Sequence, residues 1–193
     1  LFRSEAFEQY KAQREETPEA IRLSVPIIKE IIRAYRIPIL EVAGYEADDV
    51  IGTLATEAGR QGIITYMMTP DKDYGQLVSD KVFMYRPKHT GGFEVMGVDE
   101  VKAKFDIQSP AQVIDMLGLM GDSSDNIPGC PGVGEKTAQK LIAEFGSIEN
   151  LLEHTDQLKG ALKTKVETNR EMITFSKFLA TIKIDVPIQL DMD

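Results

Sequence analysis

The run Ile63-Ile64-Thr65-Tyr66-Met67-Met68-Thr69, followed at once by Pro70-Asp71-Lys72-Asp73, decides how this chain is read. A continuous, largely apolar run of this length reads as a strand covered on both faces, as in a parallel sheet. Before it, Glu46 to Arg60 spaces Val50, Ile51, Leu54 and Ala58 as one buried helix face. Pro38 to Val42 reads as a short strand ahead of that helix, with a turn at Gly44-Tyr45. Strand, helix and strand in this order predict an α/β fold with a mostly parallel central sheet and flanking helices.

Working outward, Thr17-Pro18 is a helix N-cap followed by a first-turn proline. The helix it opens carries Ile27, Ile28, Ile31, Ile32 and Tyr35, expected as a buried stripe, with a kink or break at Pro26. Val82 to Arg86 and Phe93 to Met96 flank Gly91-Gly92 and predict a hairpin. Ser109-Pro110-Ala111-Gln112 is a capping box opening a helix through Met120. From Gly121 the chain turns glycine-rich and polar to Gly134. Helices then follow to about Ile182, interrupted near Gly146 and Gly160. A boundary near Gly121 divides an α/β core over residues 1–120 from a helical subdomain over 121–193.

Composition sets limits on chemistry. The 193 residues include 42% hydrophobic side chains, enough for a core, and no run approaches the ~20 apolar residues that cross a bilayer. The opening Leu1-Phe2-Arg3-Ser4-Glu5 is no signal peptide. One cysteine, Cys130, cannot close an intramolecular disulfide and suits a reducing, cytoplasmic setting. With His89 and His154 the only histidines, zinc and thiol chemistry are excluded. The net charge of −9 is unusual for a DNA binder, unless the acids gather where metal ions neutralise them.

The acids do gather. Glu46, Asp48 and Asp49 open a helix, Asp71 and Asp73 leave the C-terminal end of the apolar strand, and Asp122 and Asp125 follow another helix. Open α/β sheets keep their active sites at strand C-termini. Hard oxygen ligands in this number fit two or more Mg²⁺ or Mn²⁺ ions, which about 4 Å apart support phosphodiester hydrolysis. A plainer reading stands beside this one. Acids in a first helical turn oppose the helix dipole, Asp71 and Asp73 could cap a turn, and Asp122 to Asn126 could be a simple loop.

Two further segments point to nucleic acid. Gly129-Cys130-Pro131-Gly132-Val133-Gly134-Glu135-Lys136-Thr137 leads into a helix, so backbone N–H groups around Gly132 and Gly134, with Lys136, could hold a phosphate. An ordinary tight turn is the alternative, and the spacing is not that of a nucleoside-triphosphate loop. Near the start, Tyr10, Lys11 and Arg14 place an aromatic ring and cations together, as a phosphate grip or as a solvated helix face.

Taken in order, Phe2-Arg3-x-Glu5 with Tyr10-Lys11-Ala12-x-Arg14, Gly44 to Asp49, Thr69 to Asp73, Gly121-Asp122-x-x-Asp125 to Gly129, and Gly132 to Ala138 resemble the 5′-nuclease domain of bacterial DNA polymerases I, in the flap-endonuclease superfamily. The resemblance implies a PIN-like 5′-nuclease core with a helix-hairpin-helix subdomain. It implies structure-selective hydrolysis of 5′ flaps and 5′ ends, as 5′-3′ exonuclease and flap endonuclease, in primer removal and repair. By position, Glu46, Asp48, Asp49, Asp71, Asp73, Asp122 and Asp125 match metal-site carboxylates. Tyr10, Lys11 and Arg14, within an arch region over 1–36, match residues that steer the flap. Gly132, Gly134, Lys136 and Thr137 match the hairpin that holds duplex DNA, where K⁺ is often bound. Val186 to Leu190 matches the handover to linked polymerase domains.

The family's opening strand and its two aspartates have no counterpart here, so the resemblance implies a truncated piece with weak or no cleavage. An open sheet edge would then invite self-association. Two other readings stand: a non-catalytic duplex-DNA-binding module, and a stand-alone 5′-nuclease.

Overall fold

The computed structural model describes residues 2–88 and 90–189; Leu1, His89 and the end of the predicted handover segment, Leu190, lie outside the described residues. The chain opens with α1 (Phe2–Ala6), turns through Tyr10 to Arg14, and forms α2 (Glu19–Ala34). Next come α3 (Ala47–Arg60), β1 (Thr65–Met68), a 3₁₀ turn (Lys72–Leu77), and the hairpin β2 (Val82–Pro87) and β3 (Phe93–Met96). Helices α4 (Val98–Phe105) and α5 (Val113–Met120) lead to α6 (Glu135–Phe145), α7 (Ile148–Glu153), α8 (Gly160–Thr168) and α9 (Arg170–Ala180). Among the described residues no helix is long and apolar enough to cross a membrane.

The sheet has the order β1-β2-β3, with β1 parallel to β2 across a connection that carries the 3₁₀ turn, and β2 antiparallel to β3. Gly91 and Gly92 take φ of 85° and 77° at the predicted hairpin turn, a region open to glycine without steric cost. Gln112 Oε1 accepts from the Ser109 N–H at 3.1 Å, as a capping box requires, although a 3₁₀ turn (Pro110–Gln112) precedes α5. One buried cluster runs from Met67, Val82 and Met84 through Val101, Met116 and Leu117 to Leu141, Ile173 and Leu179, so the core is continuous across Gly121.

Several local expectations fail, chiefly because periodicity identifies an apolar face but not what covers it. The α2 stripe is exposed, with Ile27 at 60% and Tyr35 at 75%, and the helix buries no residue. Helix α2 also runs unbroken through Pro26, because the Arg22 carbonyl that loses its donor lies on an exposed helix. Pro18, not Thr17, is the N-cap. Residues 38–42 form no strand; Lys29 ties Glu41 to α2 at 2.6 Å instead. In β1 only Met67 is buried, while Tyr66 is 56% and Met68 73% exposed, so the strand is covered on one face. Ile51 of α3 is exposed beside it.

Candidate active site

Each acid cluster is held by its own element. Glu46 is the N-cap of α3, and Asp48 and Asp49 occupy its first turn, where negative charge opposes the helix dipole favourably. Asp71 leaves β1 and caps the next turn, its Oδ1 accepting from the Asp73 N–H at 3.0 Å. Gly121, at φ 75°, ends α5 and turns the chain into Asp122. Asp122 and Ile127 then pair in both directions, N–H to carbonyl at 2.9 and 2.8 Å, closing a loop that presents Asp125. Loop and active-site placement are one event here.

The opening segment docks on this loop. The Lys11 N–H donates to the Asp125 carbonyl at 3.0 Å, Asn126 Nδ2 to the Gln9 carbonyl at 2.7 Å, and Gln13 Nε2 to the Ser123 carbonyl at 2.7 Å. Residues 8–14 form turns and a bend, with Lys11 at φ 57°, in place of the helix that Tyr10 and Arg14 suggest by spacing. The three side chains converge nevertheless. Lys11 Nζ lies 2.9 Å from Glu46 and 3.4 Å from Asp125, Tyr10 Oη donates to Glu46 at 3.2 Å and to Asp125 at 3.3 Å, and Arg14 reaches Asp125 at 2.6 Å.

A second cation bridges the other acids. Lys72 Nζ pairs with Asp122 and stands 3.3 Å from Asp73 Oδ1 without the alignment of a hydrogen bond. Burial drives the Asp73 carboxyl up to about 6; Lys72 pulls it back while the Asp71 and Asp122 charges push it further up. Its buried Oδ1 has no hydrogen-bond partner. Burial also acts to raise Asp122, but its bonds to Lys72 and the Ser124 N–H hold it below the ordinary carboxylate value. Asp48 is raised, first by burial, with Asp71 and Glu46 adding repulsion while Tyr74 Oη donates to it at 2.7 Å.

Asp71, Asp73, Asp122 and Asp125 line one cavity of about 420 Å³, together with Arg14, Lys72, Arg86 and Lys104. Glu46 and Asp48 adjoin it through Lys11 and through Asp48's interaction with Asp71. Among the described residues, no three acids stand close enough to hold one metal ion jointly; ammonium groups lie between them.

Asp49 departs from its expected part. It is fully buried, both oxygens are taken by Arg3, and the N–H groups of Lys183 and Glu46 add bonds at 2.9 and 3.2 Å. Spacing along the chain assigns no role to Arg3, Lys72, Tyr74, Arg86 or Lys104. Lys72 carried a signal, a cation set between two acids of one cluster; the others reach the site only through folding.

The glycine hairpin is separate from the cavity. Val133 is buried and anchors it, while Gly132, Gly134 and Lys136 face solvent at the start of α6. Gly134 is the helix N-cap, its carbonyl accepting from the Thr137 and Ala138 N–H groups at 3.0 Å. Gly132 takes φ 77° and its carbonyl accepts from Lys165 Nζ at 3.3 Å.

This architecture has relatives. Residues 1–106 match the family model of the 5′-3′ exonuclease N-terminal resolvase-like domain, and residues 108–193 that of the 5′-3′ exonuclease C-terminal SAM fold. The chain is 44% identical over 194 residues to DNA polymerase I of Bacillus caldotenax and 45% identical over 193 residues to that of Bacillus subtilis, covering 100% and 99% of this chain. In both cases it spans 22% of the relative's length. Among solved structures, the zinc-bound 5′-exonuclease of T5 superposes with a TM-score of 0.78 at 23% identity, over 93% of this chain and 69% of that one. The T5 flap endonuclease in a pseudo-enzyme-product complex with DNA and metal ions gives 0.76 at 24% identity, with the same coverage. These two likenesses speak for the fold, and the family models, with the identity to the polymerases, for descent: the chain belongs to the 5′-3′ exonuclease family.

Proposed function

We propose that this chain is the 5′-nuclease part of a DNA polymerase I, hydrolysing phosphodiester bonds at 5′ flaps and 5′ ends of DNA with two or more Mg²⁺ or Mn²⁺ ions. One observation supports the reading: Asp71, Asp73, Asp122 and Asp125 line one cavity, where Lys72 bridges Asp73 and Asp122, and Lys11 ties Glu46 to Asp125 beside it. The donor set fits a hard divalent cation. It is all oxygen, it concentrates like charge, and Asp73 Oδ1 is buried without a hydrogen-bond partner. Asp71, Asp73, Asp122 and Asp125, with Glu46 and Asp48 beside them, would hold the ions once Lys11 and Lys72 give way and the acids draw together; Asp49 stays locked by Arg3. Bound divalent ions supply Lewis-acid charge for phosphodiester hydrolysis.

The chain's own cations do the positioning. Lys11 and Arg14, now paired with Glu46 and Asp125, are placed to grip the oxygens of the phosphate entering the cavity. Burial raises the Tyr10 hydroxyl well above its ordinary value, keeping it a donor that orients Glu46 and Asp125. The exposed hairpin at Gly132, Gly134, Lys136 and Thr137 holds the duplex backbone without reading sequence, and K⁺ would join it there.

The test is Mn²⁺ titration followed by electron paramagnetic resonance, alongside Mg²⁺-dependent release of a 5′-labelled flap. Saturable Mn²⁺ binding is expected, weakened by D73N and D122N and unchanged by D156N at an exposed turn. Absence of any saturable Mn²⁺ site, with duplex binding retained, overturns the nuclease reading and leaves a duplex-binding module.

A further inference from the structure

The cavity has a second wall that the metal chemistry does not use. Arg86, near the end of β2, and Lys104, in the last turn of α4, line the same cavity as Asp71, Asp73, Asp122 and Asp125. Neither is well neutralised. Arg86 Nε is buried with no hydrogen-bond partner, one Nη lies 3.3 Å from the Met96 sulfur, and the nearest carboxylate among the described residues, Glu94, is 3.8 Å away and only half-buried. Lys104 forms no ion pair among the described residues, and its ammonium lies 5.7 Å from the Phe105 ring centroid. Partial desolvation lowers the ammonium of the otherwise exposed Lys104, and repulsion from Arg86 and Lys72 opposes the pull of Glu94 and Asp71, leaving it below its ordinary value. Like charges held this close, beside a buried donor without an acceptor, are an arrangement completed by an anion.

We propose that Arg86 and Lys104 form a phosphate subsite that receives a backbone phosphate of the cleaved strand next to the one entering the acid-lined pocket. The guanidinium fork suits a phosphate's paired oxygens, its Nε supplying one donor and an Nη the other, and Lys104 adds a point charge. A nucleic-acid strand fits this wall better than a free anion, because its successive phosphates can meet both the acid-held ions and these two cations. The subsite sets the direction in which the strand leaves the cavity. It rests on the nuclease reading above.

The experiment separates the two ideas. A 5′-flap duplex is titrated in Ca²⁺, which replaces Mg²⁺ to prevent hydrolysis, by fluorescence anisotropy across a KCl series. Single neutral methylphosphonates are stepped along the flap strand. K104Q, at an exposed position, and R86Q should each lower the slope of log affinity against log salt by about 1, and R86K should retain most of it. At one methylphosphonate position beside the cleaved bond, the wild type should lose affinity and the R86Q/K104Q double variant should lose none further. Mn²⁺ affinity should be the same in all. If wild type binds Mn²⁺ and the flap duplex, yet both slopes and the methylphosphonate profile are unchanged in K104Q and in the double variant, the subsite is wrong and the nuclease reading stands. A wild type that binds neither removes both.

Discussion

Arg3 and Asp49 form a forked ion pair inside the protein, Nη1 to Oδ2 at 3.0 Å and Nη2 to Oδ1 at 2.8 Å, with both residues buried. Arg3 also donates to the carbonyls of Leu179 and Thr181 at 3.1 and 2.6 Å. A single guanidinium thus ties the opening segment, the start of α3 and the end of α9 together.

Removing either partner should be costly. R3M leaves a buried carboxylate unpaired and should destabilise the chain by about 3–5 kcal/mol in urea unfolding. Burial acts to raise Asp49, but Arg3 and the N–H groups of Lys183 and Glu46 outweigh it, so its carboxyl lies below the ordinary value of 3.8. A carboxylate depressed in the folded state stabilises above its unfolded value and loses that contribution as pH falls below about 3.8 through the folded value. Urea midpoints for wild type and D49N should therefore converge toward acid. Parallel pH dependences for the two would show that the pair is not the source of the acid sensitivity.

Lys72 should act as a resident competitor of metal. Its ammonium neutralises Asp73 and Asp122 in the metal-free protein, and a divalent ion at those oxygens must displace it. A charge pair at 4 Å is worth ~4 kcal/mol at an effective dielectric of 20, before the screening that partial exposure brings. K72Q should accordingly tighten Mn²⁺ binding by roughly tenfold, about 1.4 kcal/mol. Calorimetric titration reading equal or weaker affinity in K72Q would end the competition idea.

The turn carrying Asp122 depends on two glycines in contact. A Cβ on Gly129, at φ 62°, would lie 2.3 Å from the Gly121 nitrogen and 2.7 Å from its Cα, both backbone atoms that cannot swing away. G129A should destabilise the chain by roughly 2–4 kcal/mol and shift the Asp122 carboxylate. Both thermal unfolding and Mn²⁺ affinity should fall together; loss of stability alone would separate the turn from the site.

Strand β1 pairs only with β2 among the described residues, and Ile64, Tyr66 and Met68 are exposed beside α3. An unpaired apolar strand edge is a template for another chain. The isolated chain should self-associate at micromolar concentration, and I64K with M68K should return it to monomer in sedimentation velocity. A wild type that sediments as a monomer at all concentrations would show the edge to be inert.

Much of this was legible in local sequence. Helix α3, the hairpin at Gly91-Gly92, the turns at Gly121 and Gly146, and the three acid clusters are set by spacing, caps and glycine φ within a few residues, so they need no tertiary partner to be read. The strand expected at Pro38 to Val42, the buried stripe of α2 and two-faced cover for β1 were misread, since each depends on what packs against the segment. Asp48 and Asp49 are neighbours with identical side chains, yet one faces Tyr74 and the acids while the other is locked by Arg3. Nothing local distinguishes them. The order of residues along the chain settles the number, kind and spacing of the charges. Which carboxylates are spoken for and which stay open to a cation is settled by folding, because Coulomb energy and desolvation depend on distance through space and on burial, and contacts 46 to 134 residues apart set both.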